Sequence, residues 1–328
     1  MEIKRNGYSS IIKQKIDTNK LKPYDADAIE ESKLLLQQSI GYVSNSFDML
    51  TIMRKNYNGS LSKTYQLLEK ENYDSVRYQC FYYTKELNKH LKDIGIETYF
   101  LTHKARLYAL SSGDNKVKEA HISLIYPSIK NDRVLYTIFD PGLKVDKPIS
   151  FFKEDIGLKI NEDKLKVSIL GSSDEDYPYK INIDGVNPYS YNSNPHNVHQ
   201  YFNPDFITAN INDLLFPISY KLLTGYKAMV FSKIKEERAY IVLNHLSKYL
   251  EFCDFSDGVV YKYSFSDIIK MERSELKQKL NNICIKLGID IEEIVENVYF
   301  MVDIVGEYTS NFMDNEVVKE YHQKVRKK

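Results

Sequence analysis

Apolar residues recur at helical spacing along residues 26–55, at Ile29, Leu34, Leu35, Leu36, Ile40, Val43, Phe47, Leu50 and Ile52. This predicts one long helix, weakened at Gly41 and ended by the Asn56–Gly59 turn residues. A shorter helix over 62–70 follows, with Leu61, Tyr65, Leu67 and Leu68 as its stripe, and residues 71–79 read as a loop. Residues 80–94 carry the sharpest helical signal: Phe81, Thr84, Leu87, Leu91 and Ile94 lie three or four apart, and Gly95 supplies a stop. The pattern then changes. Segments 96–102, 120–126 and 134–139 are short, alternating and rich in β-branched and aromatic residues, so they read as strands. A polar loop over 111–118 and a turn over 127–133 separate them. A helix followed by an antiparallel meander predicts an α+β fold.

Beyond residue 150 the pattern is weaker. Residues 151–170 predict a strand pair, with 165–170 its clearest member, and 172–178 form an acidic loop. Residues 179–217 hold three Asn-Pro pairs, at Asn187, Asn194 and Asn203, and read as one long irregular segment. From Gly225 onward the pattern turns mainly helical, with helices predicted over 229–253, 266–287, 291–307 and 315–323 and a strand over 259–265. The resulting division is an N-terminal block of helices and the meander core (1–150), a strand- and loop-rich extension (151–224) and a mainly helical C-terminal region (225–328).

Composition narrows the function classes. Lys+Arg and Asp+Glu both number 45, so no net positive field favours nucleic acid as a partner. No run reaches the ~18 consecutive apolar residues of a membrane helix, and the first residues lack an apolar leader core. A cytoplasmic protein with no membrane partner is the expectation. Three scattered cysteines, Cys80, Cys253 and Cys284, make no disulfide framework and no zinc-type spacing. Cys253 and Cys284 sit in apolar surroundings and read as core thiols. His196 and His199 form H-x-x-H near Asp205, but an Asn/Pro-rich segment is a poor rigid scaffold for a metal, so no metal is expected. No glycine-rich nucleotide fingerprint occurs, and no bound cofactor is expected.

Three residues carry the chemistry that remains. Cys80 falls in the first turn of the predicted 80–94 helix, where unpaired N–H groups and the positive end of the helix dipole favour a thiolate. The same N–H groups are placed to stabilise an oxyanion. His121 lies near the start of one predicted strand and Asp140 at the end of the next. Side chains opposed on neighbouring antiparallel strands stand ~5 Å apart, which suits a His–Asp pair. The set reads as nucleophile, base and orienting acid. Each residue also has a plainer explanation: a small buried Cys, a satisfied core His, and an Asp opening a Pro-Gly turn. Arg77 is a candidate for binding a substrate carboxylate. His103 follows the first strand.

The order of these features resembles the transglutaminase-like superfamily, the papain-like arrangement shared by transglutaminases, transglutaminase-like peptidases, peptide N-glycanases and arylamine N-acetyltransferases. The matching residues are Cys80, Leu91 with Gly95-Ile96, His121, and Phe139-Asp140-Pro141, within residues 73–143. The chain departs from the pattern in two places. Ile122-Ser123 follows the His where many members have an aromatic residue, and Arg77-Tyr78-Gln79-Cys80 replaces the Arg-Gly-Gly-x-Cys of the arylamine N-acetyltransferases. Lys147-Pro148-Ile149 and the stretch from Pro204-Asp205-Phe206 to Asn210 and Phe216-Pro217 are similar to the acetyltransferase branch. The resemblance implies a papain-like core, with a nucleophile helix packed on an antiparallel sheet. It also implies a thioester on Cys80 that passes its acyl group to an amine, with Gln79 or Tyr78, just upstream, as an oxyanion donor. The partners it implies are an acyl donor (thioester or amide, an acyl-thioester serving as co-substrate), an amine acceptor, and a carrier protein or protein substrate. Two alternatives stay open: a cysteine peptidase or deamidase, and a non-catalytic binding protein on the same fold.

Overall fold

The structure is a computed structural model that describes residues 15–40, 44–61, 64, 79–105, 118–143, 145–162, 165–172, 177–184, 198–209, 227–231, 238–245 and 247–313. Its helices are α1 (Ala26–Ile40), α2 (Phe47–Asn56), α3 (Gln79–Asp93), α4 (Phe265–Lys270), α5 (Arg273–Leu287) and α6 (Ile291–Met313). Its strands are β1 (Ser44–Asn45), β2 (Tyr99–Ala105), β3 (Lys118–Lys130), β4 (Arg133–Phe139), β5 (Ile149–Phe152), β6 (Lys159–Glu162), β7 (Leu165–Gly171), β8 (Tyr179–Asp184), β9 (Val198–Thr208), β10 (Lys227–Phe231), β11 (Ala239–Asn244), β12 (Tyr249–Asp254) and β13 (Val259–Ser264). The chain is α+β. It clusters into two compact units, each assembled from two stretches: Met1–Ile40 with Cys80–Leu214, and Gly41–Gln79 with Leu215–Lys328. That division interleaves along the chain, where the pattern alone implied consecutive blocks. Among the described residues no helix is long and apolar enough to cross a membrane.

The first unit holds an eight-stranded antiparallel sheet in the order β5-β4-β3-β2-β9-β8-β7-β6. Its core gathers inward residues from nearly every strand, among them Leu101, Ile125, Ile138, Phe151, Val167, Ile181, Phe202 and Ile207. The β3–β4 hairpin closes on Asn131 and Asp132, whose φ values of 52° and 59° match a two-residue turn with both central residues left-handed. The predicted 127–133 turn is therefore shorter than expected, because β3 runs on through Pro127. The proline is tolerated since β3 pairs with β2 only as far as Ile125. Beyond that point Ile129 bonds instead to the N-terminal segment, donating its N–H to Lys22 O at 2.9 Å and accepting from Tyr24 N at 2.8 Å. By strand alternation the missing N–H of Pro127 points to this same side, so no ladder bond is lost.

The long irregular segment expected over 179–217 is corrected: it contains β8 and the eleven-residue β9. Asn203-Pro204 lies inside β9, where the register against β2 shifts between Leu101 and His103. A bulge there absorbs the turn-forming pair, with Asp205 N–H donating to Asn203 Oδ1 at 2.9 Å.

The second unit corrects further expectations. The 26–55 helix is broken, ending as α1 at Ile40 and resuming as α2 at Phe47. Between them β1 pairs with β10, and Ser46 Oγ both donates to Met229 O at 2.8 Å and accepts from Met229 N–H at 2.6 Å. Asn45 Oδ1 accepts the Phe47 N–H. Short polar side chains that bond backbone groups in this way compete with helix continuation. The region after residue 225 opens with strands ahead of its helices. The stretch read as a helix over 229–253 forms β10, β11 and β12, which with β13 complete a five-stranded sheet in the order β1-β10-β11-β12-β13. Lys248, at φ 54°, turns the chain between β11 and β12. The predicted 266–287 helix is two helices. Ser264 and Asp267 form a reciprocal capping box at the start of α4, which stops at Met271; α5 begins anew and ends on left-handed Gly288. Helix α6 outruns its predicted end and is tied to α2 by Arg54, which bonds Asn297 Oδ1 at 3.1 Å and Glu293 at 2.5 Å. The predicted 315–323 helix, and all of 62–70 except Thr64, lie outside the described residues.

Candidate active site

Helix α3 buries Cys80, Tyr83, Thr84, Leu87, Asn88 and Leu91, a row at spacings of three and four that turns one face toward the sheet. Two polar bonds fix its placement. Thr84 Oγ1 donates to Ile122 O on β3 at 3.2 Å, one residue from His121. Thr98 Oγ1 bonds Asn88 Oδ1 at 2.6 Å where the chain approaches β2. The helix ends at left-handed Gly95, and Ile96 N–H returns to Leu91 O at 2.9 Å. Cys80 is thus held in the first turn, 8% exposed, where the helix has backbone N–H groups without intrahelical partners.

His121 lies on β3, and its partners come from the sheet's connectivity. The β3–β4 ladder ends at Leu124↔Phe139. Asp140 therefore leaves β4 just past the last pair and sits diagonally beside His121, not directly opposite it. His121 Nε2 donates to the carboxylate, with both Oδ1 and Oδ2 at 2.8 Å. Both residues are buried, at 1% and 2% exposure. Burial alone would lower the imidazole pKa, but the Asp140 charge and then the Cys80 sulfur, acting through charge and hydrogen bonding, outweigh it and raise the value to about 10. Nε2 is occupied by Asp140, so Nδ1 is the ring nitrogen that the carboxylate does not engage. Nδ1 is the nitrogen left to exchange a proton with a thiol.

Gly142, in the short 3-10 turn Pro141–Leu143, brings the third side of the site close. A Cβ at this position would lie 2.7 Å from Cys80 Cβ, 2.8 Å from His121 Cε1 and 3.2 Å from Cys80 Cα. Cys80 and the imidazole edge therefore flank one point, which only a glycine leaves open. The Asp-Pro-Gly sequence was legible as a turn. Nothing in it signals that the turn's backbone closes on the cysteine, because that approach depends on where α3 packs.

The sequence-predicted residues thus separate. Cys80, His121 and Asp140 come together. Gln79 starts α3, though its side chain lies outside the described residues, as do Tyr78 and Arg77 altogether. His196 also lies outside them, and His199 is described only as backbone within β9. Cys253 and Cys284 are buried in the second unit, where burial raises both thiols, Cys284 to about 12. They are core thiols held protonated. Among the described residues no group of three or more His, Cys, Asp or Glu is arranged to hold a metal.

His103 is the residue that the sequence passed over. It stands directly opposite His121 across β2 and β3, is fully buried, and shares a 2.6 Å hydrogen bond with Ser123 Oγ. The two imidazole centroids are 5.4 Å apart. Burial, and then the His121 charge, hold His103 well below the usual histidine range.

No protein-family model matches this chain, and no curated protein matches it. Solved structures that resemble it include arylamine N-acetyltransferases. One from Mycobacterium smegmatis shares 12% identity at a TM-score of 0.48, over 84% of this chain and 91% of that one. One from Salmonella typhimurium shares 11% at a TM-score of 0.47, over 85% and 94%. The Mycobacterium marinum enzyme, solved in complex with CoA, shares 10% at a TM-score of 0.46, over 84% and 93%.

Proposed function

We propose that the protein is a cysteine-dependent acyltransferase with a papain-like core, in which Cys80 is the nucleophile, His121 the proton shuttle and Asp140 the residue that orients and charges His121. The observation that carries this reading is the buried His121–Asp140 bond, with Cys80 and the imidazole edge flanking one point beside Gly142. An imidazole whose pKa is raised by both a carboxylate and a cysteine sulfur favours a thiolate–imidazolium pair over a neutral thiol.

In the first half-reaction the Cys80 thiolate attacks the carbonyl carbon of an acyl thioester or activated ester. The N–H groups at the start of α3 stabilise the resulting oxyanion. As the carbon–leaving-group bond breaks, the His121 imidazolium gives its proton to the leaving group, and an acyl-Cys80 thioester remains. In the second half an amine attacks that thioester, His121 Nδ1 accepts the amine proton, and the thiolate departs as the amide forms. Asp140 stays ionised throughout and holds Nε2.

The test is a trapping experiment with p-nitrophenyl acetate. Wild-type protein should gain one acetyl group on Cys80, read by peptide mass spectrometry, and lose it to an added arylamine with formation of the acetamide. Cys80→Ala should form no adduct while keeping a native circular dichroism spectrum. Turnover retained by Cys80→Ala would sink the proposal. Discharge only to water, at every amine concentration, would replace transfer by hydrolysis.

A further inference from the structure

We propose that His103, bonded to Ser123, is a positioning residue that sets the orientation and charge of His121. The inference rests on the reading of Cys80, His121 and Asp140 given above. Three observations carry it.

The first is placement. His103 and His121 face each other in register, and the ladder slips on both sides of His103. Against β3 the register shifts between His103 and Lys104, and against β9 between Leu101 and His103. Bulges re-aim a side chain, and two of them bracket this one residue. The second is packing. The His103 ring lies between the rings of His121 and Phe202, with centroids at 5.4 and 5.6 Å, in a region with no solvent exposure. The third is an unmet polar atom. Nε2 is bonded to Ser123, while Nδ1 is buried with no hydrogen-bond partner. A phenylalanine would fill the same space without that cost, so packing alone does not account for an imidazole here.

The tautomer follows from the orphan. A buried N–H without a partner is rarer and costlier than an unmet lone pair. His103 therefore carries its proton on Nε2, donates it to Ser123, and keeps a lone pair on Nδ1. A neutral ring with a partly negative nitrogen, held rigidly beside the neighbouring imidazole, favours a positive charge there. It also fixes the ring against rotation without competing for the proton. Among the described residues the ionisable groups that face His121 are Asp140 from the end of β4, Cys80 from α3 and His103 from β2. His103 itself faces His121 from β3 and the uncharged Phe202 from β9.

The experiment is iodoacetamide labelling of Cys80 in the full-length chain, resolved from Cys253 and Cys284 by peptide mapping, between about pH 5 and about pH 9, a range spanning the free imidazole and thiol values. His103→Phe keeps an aromatic ring and removes both nitrogens. Ser123→Ala removes only the anchor. His103→Gln keeps a donor for Ser123. The expected result is that His103→Phe and Ser123→Ala move the labelling inflection to higher pH and slow the reaction by about tenfold, a typical consequence of loosening an oriented group. His103→Gln should recover most of the loss. Ser123→Ala and His103→Gln decide the matter should His103→Phe not fold. Profiles of His103→Phe and Ser123→Ala that superimpose on wild type overturn the inference, provided that His121→Gln does shift the profile. A His121→Gln profile equal to wild type overturns the underlying reading, and this inference with it.

Discussion

Replacing Gly142 by alanine adds one methyl group at the point where the site is tightest. The added carbon would meet Cys80 Cβ at 2.7 Å and His121 Cε1 at 2.8 Å, whereas carbon atoms pack at ~3.5–4.0 Å. About 1 Å of displacement is needed. Neither neighbour yields cheaply. Cys80 Cβ is bonded directly to helix backbone, whose own Cα would lie 3.2 Å away. His121 is pinned by the double contact with Asp140. Gly142 does not occupy the left-handed region, so alanine adopts its backbone freely and the whole effect is one of space. Overpacking of this kind costs about 1–3 kcal/mol. A ~1 Å misplacement of nucleophile against base is expected to slow acylation about 100-fold. Urea denaturation measures the first effect and the p-nitrophenyl acetate burst on Cys80 the second. Wild-type stability together with a wild-type burst would refute the close approach of the turn to Cys80.

Asp140→Asn should lower the His121 pKa, because burial is then opposed only by the cysteine. 15N NMR of the ring at about pH 8, above the free histidine value, should show imidazolium in the wild type and neutral imidazole in the variant. The folded His121 pKa is raised, so the stability it contributes is fully present below about pH 6.5 and lost as pH rises toward about 10. In a Cys80→Ala background, where the thiol no longer titrates and its contribution to the raised His121 value is gone, unfolding free energy should fall across a narrower window above about pH 6.5, and the added Asp140→Asn change should flatten the slope. Ser264→Ala removes the capping box of α4 and should cost about 1 kcal/mol in urea denaturation, with Ser264→Asp largely neutral. Asn297→Ala deprives Arg54 of a fully buried partner and should cost about 1–3 kcal/mol. An unchanged midpoint would show that the Arg54–Glu293 pair suffices.

Residues that act through their sequence neighbours were readable from the chain. The stripe of α3, its stop at Gly95 and the strands of the meander follow from spacing and side-chain shape, and they were enough to bring Cys80, His121 and Asp140 under one hypothesis. What depends on distant partners was not readable. Residues 26–55 have helical periodicity throughout, yet the helix breaks because Ser46 bonds Met229, 183 residues away in sequence. Residues 239–253 hold apolar runs that fit either period, and strand pairing with β10 and β13 decides between them. Asn203-Pro204 looks like a turn and becomes a bulge because β2 continues past it.

The same division runs through the site. The sequence by itself determined which residue types were present and that a cysteine heads a helix, since both are local properties. Only the tertiary structure decided that Asp140 reaches His121 diagonally beyond the end of a ladder, that Gly142 closes against Cys80, and that His103 lies beside the imidazole. These are distances between segments far apart in the chain, and they are set by strand register and helix packing that no single segment encodes.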